Sequence, residues 1–353
     1  MSEGGTSSED GLISAQGLPT IRDVARITGL GKTTVADALQ GRGRIAPATR
    51  ERVLAAAEQL GYHAHIGARD LTRRRTEVIG VVVGDLFDPF SAELTGHLER
   101  RAAERGFRVL LSTAGSDLRE EKTAIMSLLE YRVAAIVLVA FTGDQEALER
   151  IGAHLPVVCI GYEGPCGVSI GIHDRRGADV ATSHLIELGH ERIAYVSAAL
   201  LPPRTDRDRL HGYRHALRRT GIKPDGDLVQ QLGSASEEQR HMLLRELLRR
   251  DDRPTAVFAA SDITAIEVMS CASELKLRVP RDLSVVGFDN ILLSRTPMIS
   301  LTTIAQPIAE LAHRGVDSAI SLIEDPSTPP RSVRIAPELI VRKTTAPPRQ
   351  AGG

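Results

Sequence analysis

From Val78 onward the sequence alternates short β-branched apolar runs with helical stretches, and this alternation constrains the fold more than any other feature. VIGVVVGD, FRVLLSTA, AAIVLVA and PVVCIGY read as buried strands. Helical periods lie between them, near residues 91–105, 118–130 and 144–152. VSIGIHD and a helix over 175–188 follow. RIAYVSA, AVFAAS and LSVVGFD form a second set, alternating with helices near 207–220, 236–249 and 262–275. A strand–helix–strand rhythm builds parallel sheets covered on both faces. Two consecutive sets therefore predict two doubly wound α/β lobes. LTTIAQP, an amphipathic helix at 307–323 and SVRIAPELIVRKTT complete the chain.

The part before Val78 has a different period. MSEGGTSSEDGLISAQG is polar and acidic, which predicts a disordered tail over residues 1–18. TIRDVARITGL then places Ile21, Val24, Ala25 and Ile27 at helical spacing. Thr20 stands at the N-cap, Asp23 where a capping-box acid reaches back, and Gly29 after the last turn. A second helix is expected from Lys32 to Leu39, closed by Gly41. A third fits PATRERVLAAAEQLG, with Val53, Leu54, Ala57 and Leu60 on one face. Three short helices, the first two joined by a tight turn, make a helix-turn-helix layout. YHAHIGARDLTRRRT reads as a linker over 63–76 with a short helix near Ile66–Leu71.

GLGKTTV invites another reading, a phosphate-binding loop. That loop needs a glycine five residues before Gly31-Lys32-Thr33, and a strand ahead of it. Arg26 occupies the glycine position, and the preceding segment has a helical period. Charge favours the DNA-reading alternative. Arg22 to Arg75 holds 11 Lys/Arg against 5 Asp/Glu, a local excess of six in a chain whose total is −1. Phosphate neutralisation needs such an excess, although a solvated basic face would also show it.

In order along the chain, TIRDVAR, TGL, TRERVLAAAEQLGY, HLIELGHERIAYV, PTAVFAASD, LRVPRDLSVVGFDN, LTTIAQP and PELIVR resemble LacI/GalR-family transcriptional regulators. The resemblance spans about residues 20–348 and rests on the ordered set of motifs. It implies a helix-turn-helix DNA-binding domain at 19–62, a hinge at 63–76, and a periplasmic-binding-protein-like core at 77–348. Partners implied are a near-palindromic double-stranded operator, a second copy of the chain and a small-molecule effector. The tetramerising heptad tail is missing after Thr345, so a homodimer is expected.

The second helix would lie in the major groove, with Lys32, Thr33, Thr34, Ala36 and Asp37 in the reading stretch, and Thr20 would resemble the family's phosphate anchor. Ala36-Asp37 stands where the family usually has Ser-Arg. Arginine donates a fork to guanine, whereas Asp37 can only accept, for instance from a cytosine amino group. The plain alternative has Asp37 facing solvent or pairing with a nearby arginine. Ala68, Arg69 and Leu71 match hinge positions, with Leu71 the minor-groove wedge. In the core, Asp85, Phe87, Phe90, Ser91, Arg209, Ser261, Asp289 and Gln306 match effector-contact positions, and Arg209 would grip polar effectors. Each has an ordinary structural alternative, such as Phe87 in the core or Asp289 as a cap. His173-Asp174 replaces the usual Asp-Asn near an interlobe crossover. With no tryptophan in the chain, Phe and Tyr would have to serve as any sugar platform.

Other classes find little support. No nucleophile elbow, dinucleotide fingerprint or metal spacing is present, so catalysis, metal and cofactor are not expected. His63 and His65 have no Cys or second His pair beside them. Cys159, Cys166 and Cys271 make no disulfide framework. The start lacks a signal pattern, and no apolar run reaches about 18 residues, so a cytoplasmic protein is expected. The rival reading is an intracellular small-molecule receptor without operator binding.

Overall fold

The computed structural model describes residues 19–41, 43–62, 76–115, 118–139, 145–161, 168–198, 203–233, 235–329 and 331–349. Two compact units emerge, Met1–Thr76 and Glu77–Gly353.

The first unit packs helices α1 (Ile21–Thr28), α2 (Lys32–Gln40) and α3 (Pro47–Gln59) around Val24, Val35, Ala38, Val53, Ala56 and Ala57. Gly29 and Gly41 end α1 and α2 at φ 65° and 67°, a conformation that costs glycine nothing. Two details depart from the periodic reading. Ile27 is 37% exposed while Thr28 is buried, its hydroxyl donating to the Val24 carbonyl at 2.7 Å. On α3, Leu54 is 48% exposed and Ala56 turns inward. A small residue fits where three helices converge closely, and the larger one is left outside.

The second unit contains two six-stranded sheets. Lobe 1 has strands β1 (Val78–Val83), β2 (Arg108–Thr113), β3 (Ala135–Val139), β4 (Val157–Ile160), β5 (Val168–Ile172) and β11 (Val333–Ile335), in the order β11-β5-β4-β3-β1-β2. Lobe 2 has β6 (Ile193–Ser197), β7 (Val229–Gln231), β8 (Ala256–Ala259), β9 (Ser284–Asp289), β10 (Thr302–Ala305) and β12 (Glu338–Ile340), in the order β12-β10-β9-β8-β6-β7. Among the described residues only the β10–β12 pair is antiparallel. The short β7 has no apolar run and escaped the sequence reading.

Helices cover both faces of each sheet. Lobe 1 carries α4 (Pro89–Glu104), α5 (Leu118–Glu130), α6 (Gln145–Gly152) and α11 (Ile308–Glu324). Lobe 2 carries α7 (Asp174–Glu187), α8 (Pro203–Arg219), α9 (Glu237–Arg249) and α10 (Asp262–Glu274). The chain crosses between lobes three times: from β5 to α7, from β10 to α11, and from β11 to β12. The segment SVRIAPELIV is thus shared between the sheets. Strand carboxyl ends at the crossovers face the interlobe space, where open α/β sheets place ligands.

Candidate functional site

On the first unit, α2 presents an outward face. Val35 and Ala38 point inward, Lys32 and Thr33 are exposed, and Thr34, Ala36 and Asp37 are half-buried. Gly31 caps the helix and brings no side chain to its first-turn N–H groups. The Asp37 carboxylate lies against Gly43, where a Cβ would sit 3.8 Å from Oδ2. At the start of α1, Thr20 donates both its N–H (2.9 Å) and its hydroxyl (2.7 Å) to Asp23. These bonds, the backbone one foremost, and Arg26 at 2.9 Å lower the Asp23 pKa. A phosphate contact by Thr20 therefore has to displace Asp23. Ala68, Arg69 and Leu71 lie outside the described residues.

In the second unit the chemistry converges on Arg209. It is 2% exposed on α8. Its Nε donates to Asp174 at 2.9 Å, one Nη donates to the Ala260 carbonyl, and the guanidinium lies 3.6 Å from the Phe288 ring centroid. Asp289 is 3.5 Å away and accepts from the Gln306 amide at 2.8 Å. Asp289 closes β9 at φ 117°, a strained setting for a side-chain-bearing residue. Burial, opposed by Arg209, pushes the Asp289 carboxyl well up from its ordinary range, and burial raises Asp174 as well. Burial works against the charge of Arg209, but Asp174 and Asp289 overcome it and hold its pKa above the usual value.

This cluster joins the crossovers. Asp174 begins α7 just after the first, Gln306 lies in the second, and the His173 N–H donates to the Ile335 carbonyl of the third at 3.4 Å. Away from them, Glu93 of lobe 1 accepts from the Leu292 N–H of lobe 2 and faces Arg295 at 3.9 Å. The lobes are therefore tied at the crossovers and at a second point.

The other proposed contacts scatter. Asp85 accepts from the Phe87 N–H at 2.8 Å, and the Phe87 ring is 94% exposed. Phe90 packs on the lobe 1 core. Ser91 is buried and donates to Asp88 at 2.7 Å. Ser261 caps α10, accepting from the Thr264 N–H at 3.2 Å. Beside it the Asp262 carboxyl is fully buried and accepts from Thr303 and from the Ile291 N–H.

A cavity of about 620 Å³ opens between the lobes. Lobe 1 gives it Gly161, Gly171 and Arg334; lobe 2 gives residues of α7 as far as Asp179 and of α8 as far as His215. None of the eight sequence-derived contacts is in its wall. Arg209 lies one side chain behind it, through Asp174. The wall residues Arg175, Arg176, Arg204, Asp208 and Arg334 were missed. The run HDRRG at a strand's carboxyl end carried a signal for two of them. Arg334 carried none, because only the β11–β5 register brings it opposite Gly171.

Residues 20–65 match the family model "Bacterial regulatory proteins, lacI family", and residues 182–345 match "Periplasmic binding protein-like domain". The HTH-type transcriptional regulator GalR of Escherichia coli (strain K12) is 32% identical over 337 residues, covering 94% of this chain and 97% of that protein. The HTH-type transcriptional repressor PurR of Aliivibrio salmonicida (strain LFI1238) is 30% identical over 331 residues, covering 93% and 99%. A crystal structure of the lac repressor dimer bound to operator and the anti-inducer ONPF superposes with a TM-score of 0.80 at 28% identity, covering 94% and 100%.

Proposed function

The chain belongs to the lacI family of bacterial regulatory proteins, and from that premise we propose a repressor whose grip on a near-palindromic operator is set by a small polar molecule, a sugar or related metabolite, bound between the core lobes. It is a transcriptional regulator rather than an enzyme. It acts as a homodimer, like the operator-bound lac repressor dimer. The setting is the cytoplasm, and among the described residues no helix is long and apolar enough to cross a membrane.

One observation carries the reading: Arg209, Asp174, Asp289 and Gln306 form one buried polar cluster that includes or adjoins two of the three crossovers, while a backbone bond from His173 ties in the third. A polar ligand that takes over one of these contacts changes the restraint on the crossovers themselves. A coupling of about 1–3 kcal/mol alters DNA affinity roughly 5–150-fold.

We assign residues 19–62 to the DNA-reading head, 63–76 to the hinge and 77–348 to the core. On the head, Lys32, Thr33 and Thr34 serve phosphate and base contacts, with Ala36 and Asp37 over base edges. The amino end of α2, which carries no capping side chain, supports this assignment. Ala68, Arg69 and Leu71 serve the minor groove.

Selection of genomic DNA fragments by the full chain and by residues 77–353 tests the reading. A near-palindromic site enriched only by the full chain supports it. No enrichment by the full chain leaves a receptor without operator binding. In the same assay Asp37→Arg shifts the preferred half-site; identical preferences would remove Asp37 from base reading.

A further inference from the structure

We propose that loop 290–296 is a proton-linked latch between the lobes: it closes while the Asp262 carboxyl beneath it is protonated and loosens when that carboxyl ionises. The latch belongs to the core and stands whether or not the head binds an operator.

The loop leaves β9 of lobe 2 and reaches lobe 1, where Glu93 accepts from the Leu292 N–H. One residue earlier, the Ile291 N–H donates to Asp262 Oδ2 at 2.9 Å. Consecutive amides thus bind a lobe 1 carboxylate on the exposed side and a lobe 2 carboxyl on the buried side. The loop also starts under strain, with Asp289 at φ 117° and Asn290 at φ 60°. Such backbone persists only while its contacts over-determine it. Here Arg295 donates to the Asn290 carbonyl and Arg342 to its Oδ1, each at 2.6 Å. Asp262 and Glu93 hold the next two residues.

Asp262 is 0% exposed. Gly287 on β9 makes room for it, since a Cβ there would stand 2.3 Å from Oδ1. From β10 the Thr303 hydroxyl donates to Oδ1 at 2.5 Å. The Ser294 hydroxyl faces the carboxyl from the loop, and Arg342 from the C-terminal segment. Asp289 faces it from the end of β9. Arg342 directs Nη1 to the Leu301 carbonyl at 2.7 Å and Nη2 to Asn290. Among the described residues no cation hydrogen-bonds Asp262, so its ionised form is a buried charge held by neutral donors beside a second carboxyl. Such a charge is costly.

The protonated form is fully satisfied. Its O–H donates to Thr303 Oγ1, whose own hydrogen turns to the Ile304 carbonyl at 3.4 Å, while the other oxygen still accepts from Ile291. Releasing the loop lets water reach the carboxyl and favours ionisation there. Burial therefore outweighs the hydrogen bonds from Thr303, Ser294 and Ile291 and raises Asp262 from 3.8 to about 6. The closed loop binds the proton more tightly than the open one. Closure is favoured at acid pH and loses that advantage as pH rises through about 6.

Site-resolved hydrogen exchange on the full-length, ligand-free protein from pH 5 to pH 8, corrected for the intrinsic exchange rate at each pH, provides the test. Opening at Ile291 and Leu292 should increase ten-fold or more over that range, with no parallel change in β3. The interval from 3.8 to about 6 sets a ceiling on the order of 100-fold. Asp262→Asn, neutral at every pH, should give a flat and protected profile. Thr303→Val is nearly isosteric and removes a bond that favours the ionised form, so it should move the midpoint upward. Glu93→Ala should strip protection from Leu292 at every pH and leave the pH dependence at Ile291. Equal protection at pH 5 and pH 8, a slope of the opposite sign, undiminished pH dependence in Asp262→Asn, or an unmoved midpoint in Thr303→Val overturns the proposal.

Discussion

Lobe 1 and lobe 2 thread their strands in the same order, β11-β5-β4-β3-β1-β2 against β12-β10-β9-β8-β6-β7, yet they bury different chemistry. Among its described buried polar side chains lobe 1 has Ser91, Glu121 and Ser169, and its remaining core is aliphatic but for Cys159, with Phe90 and Phe107 packed against it. Lobe 2 buries His190, Arg209, Asp262 and Asp289 along with a series of hydroxyls. The strand ends follow suit. In lobe 1, β4 and β5 reach the cleft through Gly161 and Gly171. In lobe 2, β8 and β9 end in Ser261-Asp262 and Asp289, whose side chains are buried. One lobe supplies shape, the other a set of directed polar contacts. The contrast implies that lobe 2 is tuned mainly by charge and pH, and lobe 1 mainly by packing.

The largest expected effect follows from that contrast. Arg209→Leu leaves the buried Asp289 and the half-buried Asp174 without their cation and should cost about 3–5 kcal/mol. In lobe 1, Leu98→Ala should cost about 2–5 kcal/mol through its cavity. Urea unfolding at pH 5 and pH 8 tells them apart. The Arg209 penalty should shrink at pH 5, as the abandoned carboxyls take up protons, and the Leu98 penalty should not. Equal pH response in both lobes would break the comparison.

Asp262 sharpens it further. Burial raises its carboxyl from the ordinary 3.8 to about 6, against the Thr303 hydroxyl bond. The folded state therefore favours the protonated form. Its stabilising contribution is full below the unfolded pKa and is lost as pH rises through about 6. Relative to Asp262→Asn, the wild type should lose on the order of 1–3 kcal/mol between pH 4 and pH 7. A flat difference across that range would mean that Asp262 stays ionised.

Glycines test packing on each side. At Gly212 an added Cβ would lie 2.1 Å from the Arg175 carbonyl oxygen, which is backbone and cannot rotate away. Gly212→Ala should force α7 and α8 apart at about 1–3 kcal/mol. At Gly315 the nearest atom is Ile160 Cδ1 at 2.7 Å, the end of a flexible side chain. There a helix-propensity gain of about 1 kcal/mol offsets the crowding, and Gly315→Ala should be nearly neutral in thermal unfolding. The smallest effect belongs to the interlobe tie at Glu93. Glu93→Gln weakens a half-exposed contact, so stability should change by less than about 1 kcal/mol. Small-angle scattering should nonetheless show more open lobes.

Much of this was legible in the sequence wherever one residue type repeats. The β-branched runs of lobe 1 mark both the strands and the core, because burial on both faces needs nothing else. Arg209 and Asp289 fall at positions that the resemblance gives as effector contacts, and the fold brings the two side chains within 3.5 Å of each other. The cavity wall was not legible. Arg334 acquires its place from the pairing of β11 with β5, a contact between distant segments that local pattern does not encode. Ser261 shows what position alone leaves out. Its position matches an effector contact, while its hydroxyl is taken by the α10 cap. The exposures of Ile27 and Leu54 were misread because three short helices leave room inside only for small residues.

In the proposed regulator, ligand in the cleft and DNA on the head are coupled, and operator affinity reads that coupling. Titration of a selected operator fragment with the full-length protein, with and without a metabolite pool that raises its melting temperature, should show a 5- to 150-fold change in Kd. Arg209→Lys, which keeps the charge but loses the fork, should abolish or sharply reduce that change. A pool that stabilises the protein yet leaves operator Kd unchanged would show that cleft and head are not coupled.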